Sequence, residues 1–367
     1  MVAKENIKIS LLKESEIDDV VLFYNGIYKT DRDRKKFIWE FYDAPAGKSI
    51  YVIARDMTSN KIIGTQCAIP IELVLSDGRS ILTAKSEDTL VDPEYRGLNI
   101  FENMYKLLFE ACIRTGIRYI WGLTTAQKPF LRLGFEIPFE HSQSLRVFKT
   151  KKAFKYLSEL STNNDMITLI KIFGLCVLAR LAGLKALFNS KKDFRIELKC
   201  IPEGKSDIHD NSELLANTLN NGFSIKQDME FLRWRISINP YYTEVLCFNF
   251  LWRSKRVGSV IFNHHKNGAW YLLSDLYASQ MDRKEKGTIL NEAVVKLNEI
   301  AKNGVALIRT WDFDHNEYGK QEMQIRTRVG FISLKRGISF VWKSLDKTSE
   351  LDAKDFVLSR LASQGVM

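Results

Sequence analysis

Apolar and polar positions along this chain fall into short alternating stretches and longer helical stripes, and their order predicts a mixed α/β protein. Ile7-Lys8-Ile9-Ser10-Leu11 alternates as an opening strand does. Residues 49–55 and 61–74 read as two strands joined at Thr58-Ser59-Asn60, and residues 80–91 as a third. Ile100, Met104, Leu107, Leu108 and Ala111 then recur at three-to-four spacing, the stripe of an amphipathic helix. Arg118 to Leu123 is the next apolar strand, and the segment after it, Thr124 to Phe135, ends on Gly134-Phe135.

The pattern repeats. Phe37-Ile38-Trp39 and Pro45 match Phe231-Leu232-Arg233-Trp234 and Pro240, each proline six residues beyond its tryptophan. Gly64 matches Gly258, and Leu133-Gly134-Phe135 matches Val329-Gly330-Phe331. Trp39 to Phe135 spans 96 residues and Trp234 to Phe331 spans 97. The spacing implies a duplication: a first domain over 1–150, a helical linker over 151–192, a second domain over 193–345 and a C-terminal helix over 346–367.

One junction carries chemistry. The strand ending Leu90-Val91 runs through Asp92-Pro93-Glu94-Tyr95-Arg96-Gly97-Leu98-Asn99 straight into the helix beginning Ile100-Phe101. Such a turn aims unpaired backbone N–H groups, at the positive end of a helix dipole, toward one point, a ready anion site. The segment resembles the acyl-CoA loop of the GNAT (GCN5-related N-acetyltransferase) superfamily, whose pattern is Gln/Arg-x-x-Gly-x-Gly/Ala. Glu94 stands where Gln or Arg is usual, Gly97 fits, and Asn99 replaces the last small residue. The resemblance covers residues 7–148, and with the repeat it implies the double-GNAT form. Each half would be a mixed, mostly antiparallel central sheet flanked by helices.

In the second copy the stretch Met281 to Leu290 has lost the signature. Aligned through Gly116 and Gly304, Glu285 falls opposite Gly97, and a carboxylate there would repel pyrophosphate. That half is expected to be degenerate. Asp312, Asp314 and His315 follow its strand at Ala306 to Thr310, but at no spacing of a closed metal site, so no metal is expected. His264-His265 reads as part of a hairpin turning at Asn267-Gly268.

The 367 residues suit two ordinary domains, and 45% hydrophobic content suits a globular protein. Five scattered cysteines without paired spacing read as reduced core thiols, and the N-terminus has no apolar signal core, which together point to the cytoplasm. The net charge of +10 favours anionic ligands without naming one, and the basic residues form no aromatic-interleaved stripe, so nucleic acid is not the expected partner. Residues 166–188 are the most hydrophobic stretch, interrupted by Lys171 and Arg180 and flanked by Lys151, Lys152, Lys155, Lys185, Lys191 and Lys192. A buried linking helix is the favoured reading, an interfacial helix drawn to anionic lipid the alternative.

The family resemblance implies an N-acyltransferase that takes acetyl-CoA or another acyl-CoA. Its pyrophosphate would lie on Arg96, Gly97, Leu98, Asn99, Ile100 and Phe101, its pantetheine along Leu90 and Val91. The acceptor would be a small or envelope-related primary amine, reached from the cleft between the halves, with Trp121 and Thr124 on its wall and Arg32, Arg34 and Lys35 on a nearby segment. Glu87 and Asp88 are the base candidates; strand alternation would admit at most one of them to the site. The tyrosine that many members place four residues before the glycine of "Gly-Phe" is here Phe130, which donates no proton. Two other readings stay open: a CoA-binding module without turnover, and an aminoacyl-tRNA-dependent transferase of the Fem type.

Overall fold

The computed structural model describes residues 6–161, 163, 165–190, 198–219, 221–301, 304–346 and 350–362. The chain forms two compact units, one of residues 1–139 with 338–354, the other of residues 140–337 with 355–367.

The first half runs β1 (Ile7–Leu11), α1 (Ile17–Tyr28), α2 (Arg34–Phe41), β2 (Ile50–Asp56), β3 (Lys61–Leu75), β4 (Ser80–Val91), α3 (Ile100–Arg114), β5 (Tyr119–Thr124), α4 (Gln127–Arg132) and β6 (Glu136–Val147). Two helices follow, α5 (Thr150–Glu159) and α6 (Met166–Ser190). The second half runs β7 (Lys199–Glu203), α7 (Ser212–Ala216), β8 (Phe223–Ile225), α8 (Met229–Leu232) with a π-helical turn Arg233–Ser237, β9 (Val245–Trp252), β10 (Lys255–His264), β11 (Ala269–Tyr277), α9 (Arg283–Ile300), β12 (Leu307–Asp312), α10 (Glu317–Arg328) and β13 (Ile332–Ser344). The order is the same twice, apart from the extra strand β8, and the strands foreseen at 61–74 and 80–91 lie within a residue of β3 and β4.

In the first unit the strand order is β1-β2-β3-β4-β5-β13, parallel only between β4 and β5. In the second unit it is β6-β12-β11-β10-β9-β7, parallel only between β11 and β12. The topologies are identical, yet the last strand of each half is exchanged: Ser339–Ser344 of β13 pairs with β5, and Ser142–Val147 of β6 pairs with β12. Domain boundaries at 150 and 193–345 therefore miss where the closing strands go. The expected helix over 346–367 is also not there: its described residues form two single 3-10 turns and the short strand β14 (Phe356–Val357), which pairs with β8.

Physical causes for the repeated landmarks are visible in each unit. Phe135 N–H reaches Phe130 O and Gly134 N–H reaches Leu131 O; Phe331 N–H reaches Arg326 O and Gly330 N–H reaches Thr327 O. Both are Schellman closures, with the glycine at positive φ (75° and 89°) where a Cβ would be strained. Gly64 and Gly258 let a helix approach the third strand of each sheet. A Cβ on Gly64 would meet Met104 at 3.2 Å and Ile100 at 3.3 Å, and one on Gly258 would meet Ile289 at 3.0 Å. Trp39 and Trp234 are both core residues, 3% exposed. Val52, Ala54 and Ile63 pack under α3, while Tyr51 turns to the other face and meets Phe37 and Phe41 of α2, so alternation along β2 buries both faces.

Helix α6 is not the buried linker expected for it. Its inward side is small (Cys176, Ala179, Gly183, Ala186), and six large apolar residues point outward. Lys191 and Lys192, read as flanking cations, lie outside the described residues.

Gly258→Ala should cost about 1–3 kcal/mol, because Ile289 has no room for the new methyl. Gly26→Ala, in the last turn of α1 with open space around it, should gain about 0.5 kcal/mol. Urea denaturation of both variants checks the pair.

Candidate functional site

The site is built where β4 leaves β5. Their ladder holds only Thr83↔Tyr119, Ala84↔Ile120 and Lys85↔Trp121. Above it the strands diverge, and no strand pairs with the β5-facing edge of residues 86–91 among the described residues. A kink in β4 accompanies the split. Asp88 has φ 52°, and the register with β3 shifts between Thr65 and Cys67, the mark of a bulge.

The loop after β4 is braced at its start. Asp92 accepts Glu94 N–H through its side chain and Tyr95 N–H through its carbonyl, and Tyr95 donates its hydroxyl to Asp56 at 2.8 Å. Gly97 takes φ 85° and Asn99, the N-cap of α3, takes φ 59°, which Asn tolerates better than most residues. No side chain caps α3, whose first backbone bond runs from Asn103 to Asn99. Its first-turn N–H groups thus have no partner among the described residues. Arg96, Gly97 and Asn99 are exposed, while Leu98 and Phe101 rest against the core. The loop offers donors and positive potential at one accessible point, which suits a pyrophosphate.

The second unit closes both features with its own side chains. Asp282 caps α9, accepting Lys284 N–H and Glu285 N–H at 2.7 and 2.8 Å, and Glu285 turns back to the Asp282 N–H. Measured back from Gly304, α9 starts more than a turn earlier than α3 does from Gly116, so Glu285 sits inside the helix rather than on an approach loop. The β11–β12 ladder also stops after three pairs, but there Arg326 spans the split: it holds Asp275 at 2.6 Å and Asp312 at 3.1 Å and donates to Trp311 O. Arg326 stands four residues before its Gly-Phe, as Phe130 does in the first half. Phe130 instead fills an aromatic cluster with Phe101, Tyr105 and Phe135.

On the α2 side of β4 lies a buried charged cluster. Arg32 pairs with Asp88 at 2.8 Å and with Glu40 at 3.3 Å, its guanidinium 3.5 Å from the centre of the Tyr24 ring. Tyr51 donates to the same Asp88 oxygen. Burial lifts the Glu40 carboxyl from 4.5 to about 8 despite Arg32, and the Asp88 charge adds to the rise. Burial likewise lifts the Tyr24 and Tyr51 hydroxyls, so both stay protonated.

Glu87 accepts from Lys85 Nζ and keeps 29% of its side chain exposed, whereas the Asp88 side chain is 3% exposed. Ser86 reaches the Tyr105 hydroxyl on the α3 face, so its neighbour Glu87 faces the α2 side, where Asp88 meets Arg32 and Tyr51. They therefore share one side of the sheet, against the alternation expected for neighbouring strand residues, because the left-handed bulge turns Asp88 round. Trp121 does not wall an acceptor site: it is fully buried below the split and donates its Nε1–H to Thr83. Thr124 stands above the split but spends its hydroxyl oxygen on Ala126 N–H. Arg32 is committed inward and Arg34 pairs with Asp18, while Lys35 is exposed. Glu40 and Tyr51 were not singled out from the sequence; the one sign was a carboxylate set inside the run Phe37-Ile38-Trp39-Glu40-Phe41.

Glu40 makes stability depend on pH. The folded chain holds this proton to about pH 8, whereas an unfolded glutamate releases it near 4.5. The contribution is complete below 4.5 and is lost as pH rises through about 8. Thermal melts should show the wild type weakening between pH 5 and 9, and Glu40→Gln, which mimics the protonated form, should remove a share on the order of a few kcal/mol of that loss.

Residues 8–137 match the family model described as an acetyltransferase (GNAT) domain. No curated protein matches the chain by sequence. Among solved structures, a probable N-acyltransferase from Enterococcus faecalis, otherwise of unknown function, superposes with a TM-score of 0.61 at 11% identity, over 92% of this chain and 73% of its own. A tandem GNAT protein from the clavulanic acid biosynthesis pathway gives 0.57 at 10% identity, over 94% of this chain and 100% of its own. A GCN5-related N-acetyltransferase from Anabaena variabilis gives 0.59 at 9% identity, over 93% and 73%. Residues 8–137 thus carry the match to the GNAT acetyltransferase domain, and the chain as a whole shares the fold of a tandem GNAT protein.

Proposed function

We propose that the protein transfers an acyl group, most simply acetyl, from coenzyme A to a primary amine of a small or envelope-related acceptor. The observation that carries this reading is the contrast between the units. The uncapped start of α3 and the unpaired edge of β4 meet at one loop in the first, while Asp282 and Arg326 close the corresponding places in the second. Pyrophosphate would accept from the backbone N–H groups of Gly97 to Phe101, with Arg96 beside them, and pantetheine would extend along Leu90 and Val91 as an added strand.

The acceptor nitrogen would attack the thioester carbonyl carbon, forming the C–N bond. The tetrahedral intermediate would then collapse with loss of thiolate, and the proton on nitrogen would pass to a carboxylate. Glu87 is the better base of the two candidates, since it is reachable while Asp88 is enclosed by Arg32 and Tyr51. Asp88 and Glu40 would set the potential around the acceptor. With Phe130 in the aromatic core, thiolate departs unaided or takes a proton from water, tolerable for so acidic a leaving group. That same Phe130 favours a second reading, a module that binds CoA and does not turn it over.

Calorimetry with acetyl-CoA should show binding to the wild type and an affinity lower by about tenfold or more for Gly97→Glu, which puts a charge on the anion loop. Equal affinities would remove the placement. Thiol release over a panel of amines should fall about a hundredfold in Glu87→Gln with binding retained. Binding without thiol release by the wild type selects the module, and no CoA affinity at all revives the aminoacyl-tRNA reading.

A further inference from the structure

Helix α6 has its residues the wrong way round for a helix covering a core in water. The inward side carries Cys176 and Ala179, clustered with Leu145, Val147, Ala269, Leu307 and Tyr156 of α5, and continues through the buried Gly183 and Ala186. The approach is close: a Cβ on Gly330 would come within 2.7 Å of the Gly183 Cα. The opposite side exposes Met166, Ile167, Ile170, Phe173, Leu178 and Leu181, each 52–75% accessible. An exposed apolar stripe of this size is not what a protein leaves to water without a partner.

The charges around it have one sign. Residues 150–186 contain the cations Lys151, Lys152, Lys155, Lys171, Arg180 and Lys185 against the carboxylates Glu159 and Asp165. All five lysines are exposed, and Lys171 and Lys185 share the outward side of α6. Both carboxylates have local work: Asp165 accepts Thr168 N–H at the start of α6, and Glu159 accepts from Asn267. Phe154 packs edge-on against Phe173, 5.8 Å away, tying the basic helix α5 to the apolar one. Within residues 166–186 the most apolar window has a mean hydropathy of 2.0, and the segment has the length to cross a bilayer. A spanning helix would be free to leave the protein, however, and the inward side of α6 is fixed in the core of the second unit.

We propose that α5 and α6 form a membrane-docking surface for anionic phospholipid. The outward side of α6 enters the headgroup–acyl boundary lying flat, and the lysine side chains reach up to lipid phosphates. The charge selects anionic lipid over a neutral surface, and the large apolar residues supply the insertion. This would bring the acyltransferase to the face of a membrane.

The full chain should co-sediment with vesicles of phosphatidylcholine containing about one-third phosphatidylglycerol, and little with pure phosphatidylcholine. Lys171→Glu and Lys185→Glu should each lower the partition coefficient about fivefold or more. Ile170→Ser combined with Leu178→Ser should lower it at least about tenfold, with the melting temperature held, since both side chains already face outward. Absence of sedimentation with the anionic vesicles, or equal binding by the wild type and these variants, overturns the proposal. So does light scattering that finds a dimer without lipid which the Ile170/Leu178 double variant converts to monomer, because the stripe would then be an interface between two copies.

Discussion

Backbone groups that lose their regular partner must find another, and this constraint shapes both halves of the chain. Each half has a parallel strand pair that parts after three residues, and a helix beginning close to the parting. The parting leaves N–H and C=O groups on a strand edge, and the helix start leaves N–H groups of its first turn. The second half caps its helix and fills its split with its own side chains. A capping box from Asp282 and Glu285 takes the helix start, and Arg326 bridges the split to Asp275 and Asp312. In the first half no side chain among the described residues caps the helix, and the strand edge stays open. One duplicated framework thus holds a sealed copy and an open one, and a few side chains make the difference.

Sealing has an electrostatic logic. Arg326 enters the core with two carboxylates facing it, so its burial costs less than that of a lone cation. The first half buries charge as well, but one strand face away from the split. There Arg32 is matched to Asp88 at 2.8 Å, and Glu40 is left to hold a proton rather than a full charge. Three ionisable groups in an aromatic shell of Tyr24, Phe41 and Tyr51 make a preorganised polar site at low dielectric, where a fixed charge acts strongly on whatever lies nearby. The left-handed turn at Asp88 makes this possible, because it brings Glu87 and Asp88 to the same side.

The strand exchange ties folding of the two halves together. The strand beside β5 comes from the last part of the second half, and the strand beside β12 from the end of the first. Neither sheet is complete until most of the chain has been made. The long sequence separation of these pairings implies slow closure relative to the local hairpins β2–β3 and β10–β11.

The repeated order of elements is legible in the amino-acid pattern alone, because period and punctuation are local: strand alternation, helical stripes, Gly64 and Gly258, and the two Gly-Phe closures all act within a few residues. The difference between the two loops is legible there too, since Gly97 and its missing counterpart can be read in place, and the helix start is open in the first half and capped in the second. Which residues face one another, by contrast, depends on how distant elements pack. Arg32, Glu40, Tyr51 and Asp88 are scattered over 57 positions and meet through the packing of α2 on β2 and β4. Trp121 left the expected acceptor wall because it lies below the point where two strands part, a position no local pattern reveals. The closing strands changed units because partner choice depends on which sheet edge is free. Helix α6 turned its large residues outward for a related reason: composition gives the hydrophobicity of a helix, and only the neighbours it packs on decide which side is covered.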